Sequence, residues 1–272
     1  MLESGGFMSE LSFSTIDYKS MIRDFLLNFK RGAKKTYYEK VIKLAKSERK
    51  SLEVDFNDIL KFNKELANAF LNNPSETLEI ASSAIREIIT RYTNNEGKPI
   101  VKYYLRLKNL KPISLNKIRS KHIQKLVEVE GFVSYVGKIK SLLTIGTFIC
   151  DRCGSRNYVY QKNYEYTEPT SCVNPDCTNT TDFHLIESES YFVDYQEIRI
   201  KELEKNRPEG MAPVEMTVIL IDDLVDKATL NDIVDVVGIV KGVPLIKSEI
   251  KKAIFDLYLD ANNLTVVESF LR

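Results

Sequence analysis

The chain has 272 residues, with 39 Lys and Arg against 38 Asp and Glu, a formal charge of +1 and 43% apolar residues. That apolar content suffices for real cores, and the length admits one large domain or about two to three small ones. Near-neutrality excludes a generally basic coat for nucleic acid, so any polyanion contact has to come from local patches, and with no run of about 18 apolar residues nothing is expected to span a membrane.

Residues 1–16 read as a tag or a disordered leader, polar and glycine-rich at Met1 to Gly6, ahead of a natural start at Met8. From Asp17 to about Tyr92 the pattern is helical. Tyr18, Met21, Ile22, Phe25, Leu26 and Phe29 recur at steps of three and four. Lys30 to Gly32 interrupts the run, and a second helix carries Tyr37, Tyr38, Val41, Ile42 and Leu44. Ser51 to Phe56 alternates, which predicts one short extended segment, with Asn57 or Asp58 capping the next turn. A further helix holds Leu66, Ala69, Phe70 and Leu71. Asn72, Asn73 and Pro74 stop it, and Pro74 opens a longer helix through Ile80, Ala84, Ile88 and Ile89. The sum is a helical bundle over residues 1–95. Its cations Lys30, Arg31, Lys34, Lys35, Lys46, Arg49 and Lys50 read as a solvated face, with a DNA contact as the alternative.

Asn94 to Pro99 is a turn-rich boundary, after which strand character begins at Val101 to Leu107. Ser114 to Leu126 has helix-like spacing in Leu115, Ile118, Ile123 and Leu126. Val127 to Val136 is β-rich, and Gly131 in its middle predicts a bulge or bend. The first strand of a small OB-fold β-barrel needs such a bend. Leu142 to Ile149 is expected to pair with it. Tyr191 to Ile200, Glu215 to Ile221, Ile233 to Val240 and Ala253 to Leu259 are further strands, and Glu202 to Pro213 is a polar loop. Asp222 and Asp223 follow an apolar strand and read as a turn cap, since no further metal ligands converge on them in sequence.

All four cysteines are Cys150, Cys153, Cys172 and Cys177, spaced C-x2-C, eighteen residues, C-x4-C. Two close thiol pairs joined by a short arm are what a tetrahedral site requires. With four sulfurs no position remains for a catalytic water, so the pattern predicts one closed, structural Zn2+ per chain. Two disulfides or four unrelated thiols are the alternatives, but no secretory signal is visible. The arm carries Tyr158, Tyr160, Tyr164 and Tyr166, expected to cover a minimal ribbon core, with base stacking as the alternative. The fold class is therefore a multi-subdomain α+β protein: an N-terminal helical bundle, an OB-fold β-barrel over 96–148 and 186–272, and a four-cysteine zinc ribbon inserted at 149–185.

There is no GxxxxGK[ST], no HExxH and no nucleophile elbow, and His122 and His184 pair with no nucleophile, so the chain reads as non-catalytic. A barrel with a zinc ribbon suggests nucleic acid. Lys138 and Lys140 sit where the first barrel strand turns, and Arg199 and Lys201 alternate on one face of a strand. Residues 239–255 predict a protruding hairpin, with Lys241 on the outgoing strand, Lys247 near its tip and Lys251 and Lys252 on the return. Such lysines supply phosphate contacts without sequence readout, or simply charged edges that block aggregation.

The order of these elements resembles a known family. After a helical bundle come Ile118-Arg-Ser120, Leu126 to Val133, the four-cysteine insertion, Val218 to Asp226, Asp235 to Ile239 and a hairpin. This is similar to the N-terminal domain of minichromosome maintenance (MCM) replicative helicases, especially the archaeal type, over Tyr18 to Glu268. Each stretch is modest; their order around the cysteines is specific. The resemblance implies a hexameric or double-hexameric ring with zinc ribbons at the head-to-head junction. It also implies DNA, single- or double-stranded, in a central channel, gripped by the hairpin Lys241 to Lys252 and by Lys138, Lys140, Arg199 and Lys201. Glu202 to Pro213 would be the communication loop to an ATPase domain. The hairpin tip here reads Lys247-Ser-Glu249 where the family often has a basic pair. With no ATPase after Arg272, the resemblance implies a fragment or a truncated paralogue, to which unwinding cannot be assigned alone. The expected setting is intracellular, at the site of DNA replication. The alternatives are a stand-alone single-stranded DNA-binding protein and a protein-interaction scaffold.

Overall fold

The computed structural model describes residues 17–93, 102–162, 164–206, 210, 212–247 and 250–269. The leader 1–16, the Asn94 to Pro99 turn, Val101, part of the Glu202 to Pro213 loop, and Ser248 and Glu249 at the hairpin tip lie outside these residues.

Helix α1 (Tyr18–Asn28) starts where Asp17 accepts a hydrogen bond from the Ser20 amide at 3.0 Å. The interruption at Lys30 is a small hairpin, β1 (Lys30–Arg31) against β2 (Lys34–Lys35), turned at Gly32 with φ of 64°. Then come α2 (Tyr38–Ala45), β3 (Ser51–Asp55), α3 (Phe56–Phe62), α4 (Lys64–Asn72) and α5 (Pro74–Thr93). The cap of α3 is Asp55, whose carboxylate accepts from the Asn57 amide at 3.0 Å, rather than Asn57 or Asp58. Asp58 is instead fully buried, accepting from Tyr37 Oη at 2.6 Å and Arg31 Nε at 2.9 Å. Phe25 lies at the centre of the core, with ring centroids 5.0 Å from Tyr37, 5.2 Å from Phe29 and 5.4 Å from Phe62.

The strand β4 (Tyr104–Lys108) belongs to this helical unit. It pairs in parallel with β3, and Leu105 and Leu107 join the same core as Phe25 and Ile85. The expectation that residues from 96 onward serve the barrel fails here, because β4 alternates into the helical core and reaches the other strands only through side chains. Ser114 to Leu126 forms two 3₁₀ turns and no α-helix.

The remaining strands are β5 (Leu126–Val136), β6 (Lys140–Cys150), β7 (Arg156–Tyr160), β8 (Phe183–Leu185), β9 (Tyr191–Lys201), β10 (Glu215–Ile221), β11 (Ile233–Lys247) and β12 (Ile250–Glu268). Five of them pair in a closed circuit: β5 with β9, β9 with β10, β10 with β12 in parallel, β12 with β11, and β11 with β5. Val129, Val133, Ile198, Ile200, Val218, Val236 and Leu259 fill its interior. Leu126, Val237 and Ile239 face the other way and pack on the helices, so one sheet serves two cores. β6 does not pair with β5 as expected. It pairs with β9, β7 and β8, so the excursion from the circuit begins at Lys140 and ends along β9. Gly131 marks a close approach rather than a bulge: a Cβ there would lie 2.8 Å from the Lys201 carbonyl oxygen, while the register with β11 runs through it unbroken.

Candidate metal centre and nucleic-acid interface

Cys150 ends β6 and Cys153 follows in a tight knuckle. The Gly154 amide donates to the Cys150 carbonyl at 2.8 Å, and Gly154 adopts a φ of 74°. Cys172 and Cys177 form the second knuckle, where the Cys177 amide donates to the Asn174 carbonyl at 3.0 Å. The four Sγ atoms lie within 4.8 Å of one another, with Cys150 to Cys177 at 3.7 Å and Cys153 to Cys172 at 3.5 Å. A tetrahedron built on Zn–S bonds of about 2.3 Å has edges of about 3.8 Å, so the sulfur set fits one such ion. Against burial, hydrogen bonds favour the Cys150 thiolate, and they favour that of Cys153 too, whereas burial pushes the Cys172 thiol up and the Cys177 thiol is raised to about 11 despite the Asn179 amide. Asn179 Nδ2 donates to Cys150 Sγ at 3.2 Å and the Asn174 amide to Cys172 Sγ at 3.4 Å. Hydrogen bonding with Ser155, 3.3 Å away, holds the Cys153 thiol down to about 6. His184 Nδ1 meets Asp151 Oδ1 at 2.5 Å and stands outside the sulfur set. His122 Nδ1 accepts from the Arg119 amide and stabilises a 3₁₀ turn.

The ribbon tyrosines do not form the expected core. Tyr158 and Tyr160 are exposed because strand alternation turns Asn157 and Val159 inward instead, and Tyr166, beyond the strand, is exposed with its ring 6.1 Å from that of buried Phe148. Tyr164 alone is held: its hydroxyl donates to Asp260 Oδ1 on β12 at 2.6 Å, and burial, then the Asp260 charge, push its pKa far up. This contact fastens the ribbon to the strand circuit.

The basic residues singled out by sequence fall into three settings. Arg199 and Lys201 share the outer face of β9 with Tyr195 and Glu197, as alternation requires. Arg199 lies 5.2 Å over the Tyr135 ring, and both cations sit near Glu215, at 3.9 and 3.8 Å. Lys140 approaches Glu197 at 3.9 Å and the Tyr195 ring at 5.8 Å, while Lys138, exposed, lies on the turn between β5 and β6. Lys140, Arg199 and Lys201 therefore share one surface with the Tyr135 and Tyr195 rings, and Lys138 lies exposed on the adjoining turn. Lys241 does not join them; it is mostly buried and paired with Asp260 at 2.6 Å, beneath Tyr164. Lys251 and Lys252 are exposed on the hairpin, and Lys247 pairs across it with Ile250. The hairpin projects past the core: Val243, Ile246, Ile250, Ile254 and Phe255 are all exposed.

Sequence reading missed the joint between the helical unit and the strand circuit. Asp222 accepts from Lys50 Nζ at 3.2 Å. Asp223 accepts from Ser51 Oγ and from Arg106 Nη2, and Lys227 stands 3.6 Å away. Burial pushes the Asp223 carboxyl up, but Arg106, Ser51 and Lys227 outweigh it and hold the group below its usual range. Arg106 also donates to the Asn262 carbonyl at 2.8 Å, and the Asn262 side chain accepts from the Leu107 amide at 2.7 Å and donates to the Leu105 carbonyl at 2.8 Å. The acidic pair thus clasps two units rather than merely capping a turn.

No helix among the described residues is long and apolar enough to cross a membrane. Residues 19–109 match the MCM N-terminal domain, and residues 114–244 match the MCM OB domain. The chain is 30% identical to the minichromosome maintenance protein MCM of Saccharolobus solfataricus over 96% of its own length and 39% of that relative. It is 29% identical to the DNA replication licensing factor MCM6 of Arabidopsis thaliana over 88% of its own length and 30% of that protein. The same figures for mcm6 of Dictyostelium discoideum are 29%, 77% and 25%. The chain thus spans between a quarter and two fifths of the length of these relatives. With both domains matched in their order along the sequence, the chain belongs to the MCM family through its N-terminal and OB domains.

Proposed function

We propose that this chain is the DNA-gripping and ring-assembling amino-terminal part of an MCM replicative helicase. In this reading it has three modules: a helical unit, an OB barrel formed by the five-strand circuit, and a ribbon stapled by one structural Zn2+ on Cys150, Cys153, Cys172 and Cys177. The barrel surface of Lys138, Lys140, Arg199 and Lys201 holds single-stranded DNA by phosphate contacts, with Tyr135 beneath Arg199 as a stacking platform. Lys251, Lys252 and Lys247 on the projecting hairpin reach into the channel of a hexameric or double-hexameric ring. Lys241 contributes by fixing the base of that hairpin to Asp260 rather than by touching DNA. Unwinding belongs to an ATPase domain of the parent protein, toward which the Glu202 to Pro213 loop signals, at the site of DNA replication.

The observation that carries this reading is the match of both MCM domains in order, with the sulfur cluster lying inside the second. Ring formation also answers the charge problem, since six copies concentrate modest local charge that a near-neutral chain lacks singly. The particle mass in solution, measured by light scattering after size exclusion with and without oligo(dT), tests it. A hexamer or larger, with salt-dependent DNA binding, is expected. A monomer at every concentration that ignores DNA overturns the reading.

A further inference from the structure

Between Lys30 and Lys50 the chain carries nine lysines and arginines against two glutamates, a surplus of seven in a chain whose total formal charge is +1. The two ends of this segment are pinned. Arg31 is anchored to Asp55 at 2.8 Å and to buried Asp58, which seats the β1–β2 hairpin on α3. Lys50 is tied to Asp222 at 3.2 Å at the joint with the strand circuit. Between these anchors, Lys34, Lys35, Lys43, Lys46 and Arg49 are exposed and make no ion pair among the described residues, as does Lys30 at the hairpin's start. Lys40 lies on the same helix, its pKa lowered by burial and then by the neighbouring Lys108. A segment whose cations outnumber its two exposed glutamates, Glu39 and Glu48, by seven is costly in isolation and well placed to meet an extended polyanion.

The surroundings select the polyanion. No large apolar side chain of this segment is exposed, so it offers neither the apolar face of a membrane-surface helix nor the anchor of a protein interface. Within the segment Tyr37 is buried and Tyr38 half-buried, its ring met by Lys35 at 5.5 Å and edge-on by the exposed Tyr92 of α5 at 6.0 Å, so the segment itself presents no open ring face for an unpaired base and Tyr92 is the one exposed ring beside it among the described residues. What remains is contact with phosphates alone, the mode suited to a duplex whose bases are already stacked. Helix α2, eight residues long, offers about 12 Å of track, against one phosphate charge per about 1.7 Å of duplex axis.

We propose that the stripe formed by Lys30, Lys34, Lys35, Lys43, Lys46 and Arg49 is a second DNA surface, on the helical unit, that takes the phosphate backbone of double-stranded DNA. It rests on the reading of the chain as DNA-binding, but assigns duplex to the helical unit and single strand to the barrel. The stripe's two pinned ends hold it in place before DNA arrives, so little ordering accompanies binding.

The test uses the whole chain and fluorescence anisotropy with a short duplex and with oligo(dT), each across a salt series. One variant combines Lys34→Gln, Lys35→Gln, Lys43→Gln and Lys46→Gln; a second combines Lys138→Gln, Arg199→Gln and Lys201→Gln. Removing four phosphate contacts is expected to weaken duplex binding at least tenfold, to flatten the log–log salt slope by about 3–4, and to leave oligo(dT) binding within about threefold. The second variant is expected to do the reverse. Melting curves check folding, and the Lys34/Lys35 and Lys43/Lys46 pairs are also changed separately so that each half is read alone. Unchanged duplex affinity and slope in the fourfold variant overturns the stripe while leaving the barrel reading intact. Displacement of duplex by polyglutamate at equal charge concentration overturns the choice of DNA. If the unchanged chain binds neither probe, both readings fall.

Discussion

The helical unit and the ribbon reach order by opposite means. In the helical unit, Phe25, Tyr37, Val41, Ile59, Leu66, Ile85 and Leu107 exclude water from one continuous core. In the ribbon Tyr158, Tyr160 and Tyr166 point outward, and the two knuckles converge through four sulfur atoms instead. A short segment with little core gains most from an ion held by such a sulfur set, whereas a longer amphipathic chain can depend on burial. The contrast teaches where each region is vulnerable.

Metal removal is the sharpest way to break it. Structural zinc contributes on the order of 10 kcal/mol to small zinc domains at neutral pH, more than any single core side chain. Chelation is therefore expected to abolish hydrogen-exchange protection of β7 and β8 while α1 and α5 keep theirs, with one metal equivalent released per chain. Ribbon protection that survives verified metal loss would show that side-chain contacts such as Tyr164 with Asp260 hold it. Next in size, Phe25→Ala should destabilise the helical unit by about 3–5 kcal/mol in urea denaturation, because it empties the middle of an aromatic cluster. A loss under about 1 kcal/mol would mean that the cluster collapses around the gap.

The joint between the units gives a smaller effect that depends on pH. Asp223 is held below its usual carboxylate range, so its contribution is present above the unfolded value and is lost as pH falls through the folded one. Acidification below about pH 4 should thus weaken the clasp, by roughly 1–2 kcal/mol for charge-assisted hydrogen bonds at a partly exposed site. Thermal melts of Asp223→Asn against the unchanged chain check this; the substitution should flatten the acid limb, and an identical limb in both would remove Asp223 from the account. Smallest of all, Tyr158→Ala should shift stability by no more than about 0.5 kcal/mol, since the residue is 63% exposed. A large loss would restore the expectation that it serves a core.

What the sequence made legible follows the same division. The cysteine spacing announced the sulfur cluster because ligand geometry is local within each knuckle. Helices α1, α2, α4 and α5 were legible from their periodicity, and Arg199 and Lys201 from alternation, whereas α3 was read only as a turn and the helix-like spacing of Ser114 to Leu126 made no α-helix. The clasp was not, because Ser51 and Asp223 are 172 residues apart and Arg106 and Asp223 are 117 apart, and no short pattern links them. The allegiance of β4 was hidden for a related reason. An apolar strand does not state which core it enters, and Leu105 and Leu107 turn to the helices through pairing with β3. Lys241 was misleading on charge alone, since its partner Asp260 lies on the opposite strand of the same hairpin.

Strand β12 has a mechanical consequence. Its nineteen residues span roughly 60 Å at the usual rise. One end forms the exposed hairpin, the middle closes the circuit against β10, and Asn262 and Asn263 grip β4 of the helical unit. A load applied at Lys251 is carried along a single covalent rod and resisted in shear by the ladder with β11. The register of that ladder shifts at Ile233/Val234, Val237/Gly238 and Pro244/Ile246, the last within the hairpin and the one before it at Asn262 of the grip. Between the hairpin and Asn262 the same strand carries Leu259 and Ala261 of the circuit core, so a displacement of the hairpin reaches the grip on Leu107 along a strand that the core itself holds.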